Sequence, residues 1–290
     1  MIKIENKYLK PVANEYLTRL RNYGIAHPRS LVGQLLNRCS EKQFRNLILC
    51  PPEKLQSCMC PPDIQPSQVE RAYHRFFSQK GEDGVNNAMW LINKLSVKVC
   101  PYCNRTYTFT VTKSRRTSGR NVRPELDHFF PKSNIAYKHL AISFYNLIPS
   151  CPLCNHLKGT TVCDYHPYYG HLISNNSDPI ICVANTSVEG GLFPEKPIIE
   201  IKNKNLNTST LALEELYSQH TDYVKEILDK MQAYNYSLYE PLIRSFQGIG
   251  YTSEDIDRII WGNYIDEAHR ISRPLSKLTI DILKQFDILK

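Results

Sequence analysis

Cys100-Pro-Tyr-Cys103 and Cys151-Pro-Leu-Cys154 form two matched CxxC pairs, and the chain between them carries Leu126-Asp127-His128-Phe129-Phe130-Pro131. Two cysteines three positions apart can turn both thiolates to one ion, and two such pairs complete a tetrahedral S4 site for structural zinc. Such a site is closed. Any chemistry must come from the side chains that the metal holds in place, and Asp127, His128, Asn146 and Asn155 are the candidates.

The surrounding sequence predicts an α+β chain with helical flanks. Residues 1–95 read as helical: Ser67-Gln-Val-Glu70 has the capping-box pattern and precedes a stripe of Ala72, Tyr73, Phe76 and Phe77. A second helix is expected from about Asn87 to Leu95. The prolines between Cys50 and Pro62 mark a loop. Residues 96–205 read as a compact mixed module. In it, Arg105 to Thr112 alternates threonine with Tyr107, Phe109 and Val111, a strand pattern that buries the aromatic face. Asn155 to Lys158 suits a first helical turn, and Ile198 to Ile201 suits a strand. Residues 206–290 return to helix. Leu213, Leu216, Tyr217, Val224, Ile227, Leu228 and Met231 fall on one face, and Thr252 with Glu254 and Asp255 is a start signal.

The chain has 290 residues, 42% of them apolar, which is ample for a core and excludes global disorder. Its net charge of +8 favours a polyanionic partner. No apolar run approaches the roughly twenty residues of a membrane span, and Met1-Ile2-Lys3-Ile4-Glu5 is not a leader. The expectation is a cytoplasmic chain with no membrane contact. In a reducing compartment the CxxC pairs read as metal ligands rather than disulfides. Cys39, Cys50, Cys58 and Cys60 match no zinc spacing and read as ordinary thiols.

Taken together, Cys100-Pro-Tyr-Cys103, Leu126-Asp127-His128-Phe-Phe-Pro131-Lys-Ser133, Asn146-Leu-Ile-Pro-Ser-Cys151 and Cys154-Asn155-xx-Lys158-Gly159 resemble an HNH endonuclease of the ββα-metal (His-Me finger) class with a zinc knuckle. The resemblance runs from Cys100 to about Asp164. It implies a small zinc-stapled ββα core between N- and C-terminal helical regions. His128 would be the general base. Asp127 and Asn155 would hold one catalytic Mg²⁺ or Mn²⁺. Asn146 would tie down the loop that carries the base, and cleavage would leave 5′-phosphate and 3′-hydroxyl ends. The third motif position is often histidine, so His156 is the alternative ligand to Asn155.

Lys113, Arg115, Arg116, Arg120 and Arg123 form a loop with no acid, expected to contact phosphates together with Lys132 and Lys158, and extended by Lys138 and His139. His166 is read as bracing the cleft. Tyr217, Tyr223, Tyr234, Tyr236 and Tyr239 are read as core and interface rather than as a base-stacking platform. DNA is the expected substrate and RNA the alternative. The flanking regions resemble those of bacterial nucleases of mobile or anti-phage elements, which implies a regulatory partner such as an ATPase. A zinc module that only binds nucleic acid or protein is the rival reading.

Overall fold

The computed structural model describes residues 1–4, 9–112, 122–171, 178–186, 193–234 and 236–289. The fold is mixed: helices dominate, and the strands pair two by two. Contacts divide the chain into two compact units. One comprises Lys3–Tyr102 and Thr108–Ser174, the other Met1–Ile2, Cys103–Tyr107 and Asn175–Lys290. Segment 96–205, read from the sequence as one module, thus contributes to both units.

In the first unit, α1 (Leu9–Ala26) buries Val12, Ala13, Tyr16, Leu17 and Leu20, a helical stripe. Tyr16 sits at the centre of an aromatic core with Phe76, Phe77 and Phe144, its hydroxyl donating to Ile142 O at 2.9 Å. Helices α2 (Leu31–Arg38) and α3 (Glu41–Ile48) start on capping serines, Ser30 and Ser40. Gly33 lets α2 approach the preceding turn, because a Cβ there would meet the His27 carbonyl.

The next helix, α4 (Pro66–Ser78), starts earlier than Ser67-xx-Glu70 suggests. Pro66 takes the first helical position, and Gln65 N donates to Gln68 Oε1 at 3.0 Å. Then α5 (Asn87–Leu95) spans the expected residues, with Asn86 accepting from Ala88 N and Met89 N.

The strand expected over Arg105 to Thr112 does not form. Among the described residues, Val111 makes one antiparallel bridge to Val122. The burial phase is also reversed: Thr108 is 4% exposed and Phe109 54%. The reason is local. Thr108 Oγ1 donates to Val97 O at 2.6 Å and Thr108 N to Lys98 O at 2.9 Å, so the threonine side, satisfied by backbone, turns inward.

Strands β1 (Glu125–His128) and β2 (Leu147–Ser150) are antiparallel, with Asp127 opposite Ile148 and His128 opposite Leu147. Next comes α6 (Pro152–Lys158), Cys151 as its N-cap and Pro152 at its first position, closed by Gly159 at φ 51°. Two short strands, β3 (Tyr165–His166) and β4 (Gly170–His171), complete the unit.

In the second unit, β5 (Ile180–Val183) pairs with β6 (Ile199–Lys202), one residue on from the expected strand. After α7 (Leu206–Thr210), the single face read from Leu213 to Met231 is broken into α8 (Leu213–Tyr217) and α9 (Thr221–Ala233). Helix α10 (Tyr236–Gly248) precedes α11 (Ser253–Trp261), which is capped by Thr252 as its sequence suggests. The last helix, α12 (Ser276–Gln285), covers the edge of β5: Asp281 accepts from Ile181 N and Gln285 from Val183 N. Among the described residues no helix is long and apolar enough to cross a membrane.

Candidate active site

Cys100, Cys103, Cys151 and Cys154 are buried, with all four sulfurs within 4.8 Å of one another. A zinc ion with four bonds of roughly 2.3 Å needs sulfurs just under 4 Å apart, so the donor set suits it. Backbone amides meet two of the sulfurs. Arg105 N donates to Cys103 Sγ and Cys154 N to Cys151 Sγ, each at 3.4 Å. Asn104 adopts φ 52°, and Tyr217 donates its hydroxyl to Cys103 O at 2.5 Å. The cluster can hold a structural zinc. Cys50 and Cys58 hydrogen-bond to each other, and Cys60 donates to Ile64 O. Among the described residues these thiols and Cys39 form no ligand group.

A cavity of about 670 Å³ opens beside β1 and α6, and its walls include Asp127, His128, Asn155, His156, Arg123 and Lys132. His128 is held from two sides. Its Nε2 lies 3.0 Å from Ala141 O, which makes Nε2 the protonated nitrogen and leaves the lone pair on Nδ1. The Tyr73 ring meets the imidazole edge-on at 4.6 Å. Burial, with the Lys132 cation adding to it, lowers the His128 pKa to about 3, so the ring is neutral at physiological pH.

Asn146 fixes the turn after His128. Its Oδ1 accepts from Phe130 N at 2.7 Å, and its Nδ2 donates to Phe130 O and Leu140 O. Its own carbonyl accepts from Phe129 N. The side chain is fully buried and acts on orientation.

Asp127 and Asn155 both line the cavity, and each side chain is hydrogen-bonded to other groups. Asp127 is 3% exposed, and Tyr102 donates its hydroxyl to Asp127 Oδ2 at 2.6 Å. Lys158 Nζ lies 3.2 Å from each carboxylate oxygen and donates to His128 O at 2.8 Å. Burial raises the Asp127 pKa, and the Lys158 ammonium opposes that rise. Asn155 instead donates its Nδ2 to Glu125 Oε2. The phosphate contact expected of Lys158 is therefore corrected: its side chain is 0% exposed, because a buried carboxylate needs that cation as its counter-charge.

Arg123 is exposed and Lys132 half-buried, both at the cavity. Lys113, Arg115, Arg116 and Arg120 lie outside the described residues. Lys138 pairs with Glu70 at 3.1 Å, and His139 Nε2 is 2.7 Å from Cys58 O. His156 is exposed at the cavity wall. Tyr217 is buried, Tyr223 bonds Thr279 and Asn263, and the side chains of Tyr236 and Tyr239 lie outside the described residues. Reading the sequence missed Tyr102, Tyr73 and Glu125. Only Glu125 left a signal, standing two residues before Asp127 and so on the same strand face.

His166 is fully buried against the Phe129 ring at 4.3 Å. Its Nδ1 accepts from Tyr168 N, so Nε2 carries the proton. Burial lowers its pKa from 6.5 to about 3. Protonation then favours the unfolded chain, so this stability is whole above 6.5 and is lost as pH falls. Between roughly pH 7.5 and 5.5 the loss is about 1.4 kcal/mol for one histidine. His166→Asn keeps an acceptor for Tyr168 N but does not titrate. Urea unfolding at the two pH values should show a pH loss smaller by that amount in the variant; equal losses would refute the assignment.

No protein-family model, no curated protein and no solved structure matches the chain.

Proposed function

We propose that the chain is an HNH-type, metal-dependent endonuclease that hydrolyses DNA phosphodiester bonds, with His128 as the general base. The observation that carries this reading is the cavity in which a neutral imidazole with an unprotonated Nδ1 sits beside Asn155, Arg123 and Lys132. Nδ1 takes a proton from the attacking water. The Ala141 carbonyl, accepting from Nε2–H, steadies the imidazolium that results. A phosphodiester entering the cavity brings negative charge, which raises the proton affinity of the buried ring when it is needed. Arg123 and Lys132 receive the non-bridging oxygens. A divalent cation would stabilise the leaving oxygen, and Asn155 Oδ1 with a carboxylate of β1 is the oxygen donor set for it. As the resemblance implies, the setting would be anti-phage defence or a mobile element, with gating by a partner such as an ATPase.

The second reading, a zinc module that binds without cutting, is favoured by one observation: the Lys158 ammonium already neutralises Asp127. Incubating the purified chain with plasmid, single-stranded DNA and RNA, with Mg²⁺ or with chelator, separates the two. The nuclease reading requires Mg²⁺-dependent cutting that falls by about 10²–10⁴-fold in His128→Ala while binding persists. Undiminished cutting by His128→Ala removes the base assignment. Binding without cutting by the unmodified chain favours the module.

A further inference from the structure

We propose that the exposed stripe of α4 made by Arg71, His74, Arg75 and Ser78 is a track for the DNA backbone, leading into the cavity. The inference rests on the DNA reading above and extends it to a helix outside the HNH-like segment. The four positions lie three or four residues apart and so share one side of the helix. All four are exposed, while Val69, Ala72, Phe76 and Phe77 are buried on the other side. His74 and Ser78 line the cavity together with His128, Arg123 and Lys132. The Tyr73 ring lies 5.2 Å from the His74 imidazole and 4.6 Å from that of His128. The stripe thus begins within two ring contacts of the proposed base.

Charge decides what the stripe fits. Among the described residues, Arg71, His74 and Arg75 take part in no ion pair, and Glu70, the one carboxylate of the helix, is already paired with Lys138 at 3.1 Å. Two arginines four residues apart repel each other, which works against the helix. An anion lying across both removes that repulsion. The two positions advance roughly 6 Å along the helix axis, and each guanidinium can meet a phosphate through two parallel N–H donors. A row of phosphates therefore fits the stripe better than a single anion does. Arg123 and Lys132 at the cavity carry the same sign, so a strand that leaves the cavity along α4 stays on cations.

The salt dependence of DNA binding by the full-length, zinc-loaded chain, without added Mg²⁺ and read by fluorescence anisotropy, tests the track without reference to cleavage. In Arg71→Ala/Arg75→Ala the slope of log affinity against log salt should shrink by about two, one for each lost phosphate contact. The melting temperature should not fall, since both side chains are exposed. Arg71→Lys/Arg75→Lys keeps both charges and should keep the slope. Lys10→Ala/Lys42→Ala removes as much charge from exposed positions of α1 and α3, neither of them at the cavity, and should keep it too. A slope unchanged in the alanine pair, reduced equally in the control pair, or reduced with RNA alone overturns the track. The nuclease reading then stands so long as the unmodified chain cuts DNA. A chain that neither binds nor cuts DNA overturns both.

Discussion

Replacing Cys154 by serine is expected to leave purified protein with well under one equivalent of zinc and a melting temperature lower by on the order of 10 °C or more. Zinc binding to thiolate sites of this kind is worth about 10–16 kcal/mol at neutral pH. A whole domain is stable by only about 5–15 kcal/mol, so metal loss removes a share comparable to the total. Cys154 is fully buried in α6, and its amide donates to Cys151 Sγ at the helix N-cap. Losing the ion removes the bond that would tie β2 and α6 to Cys100 and Cys103. Metal analysis together with thermal melts checks the expectation. Cys182→Ser is the control, since Cys182 is buried but stands outside the cluster. Zinc retained in Cys154→Ser, or lost equally in Cys182→Ser, would show that the cluster is not the metal centre.

What the sequence carried legibly was local. Thr252 before α11 is a capping residue whose hydrogen bond reaches three residues on, and the helix begins beside it. The CxxC pairs are legible because the spacing itself encodes the geometry, wherever the chain travels between them. Thr108 shows where such reading stops. Alternation gives the period of a segment but not its phase, and the phase here is set by the carbonyls of Val97 and Lys98, which the pattern does not contain. Lys158 fails for a related reason. A lysine after a helical turn is ordinarily exposed, and only the packing of α6 on β1 tells that its ammonium meets Asp127. Asn146 was legible through the family resemblance, and its bonds to Phe130 and Leu140 supply a physical reason for an asparagine there: an amide can donate and accept at once.

The pairing of Asp127 with Lys158 leads to the second large effect. Lys158→Met alone is expected to destabilise the protein by about 3–5 kcal/mol, because it leaves a buried carboxylate with only neutral donors, the Tyr102 hydroxyl and the His128 backbone among them. Asp127→Asn should cost a similar amount, about 3–5 kcal/mol, by stranding the ammonium against the His128 carbonyl. The double variant should lie much nearer the unmodified protein, since replacing a whole buried pair is often neutral or stabilising by about 1–4 kcal/mol. Urea unfolding of the four proteins yields the coupling directly, and single penalties that simply add would show that the pair is not coupled.

pH supplies an independent check. Burial already raises the Asp127 pKa, and removing the opposing ammonium raises it further. A carboxyl whose folded pKa lies above its unfolded value destabilises the fold as pH rises and is relieved as pH falls through the carboxylate range. The Lys158→Met penalty should therefore shrink in mild acid, and the buried His128 and His166 act in the same direction, since the Lys158 cation also opposes their protonation and its loss eases it. A penalty that instead grows on acidification would mean that Asp127 is not the group left stranded, and would return it to the set of carboxylates able to take a cation.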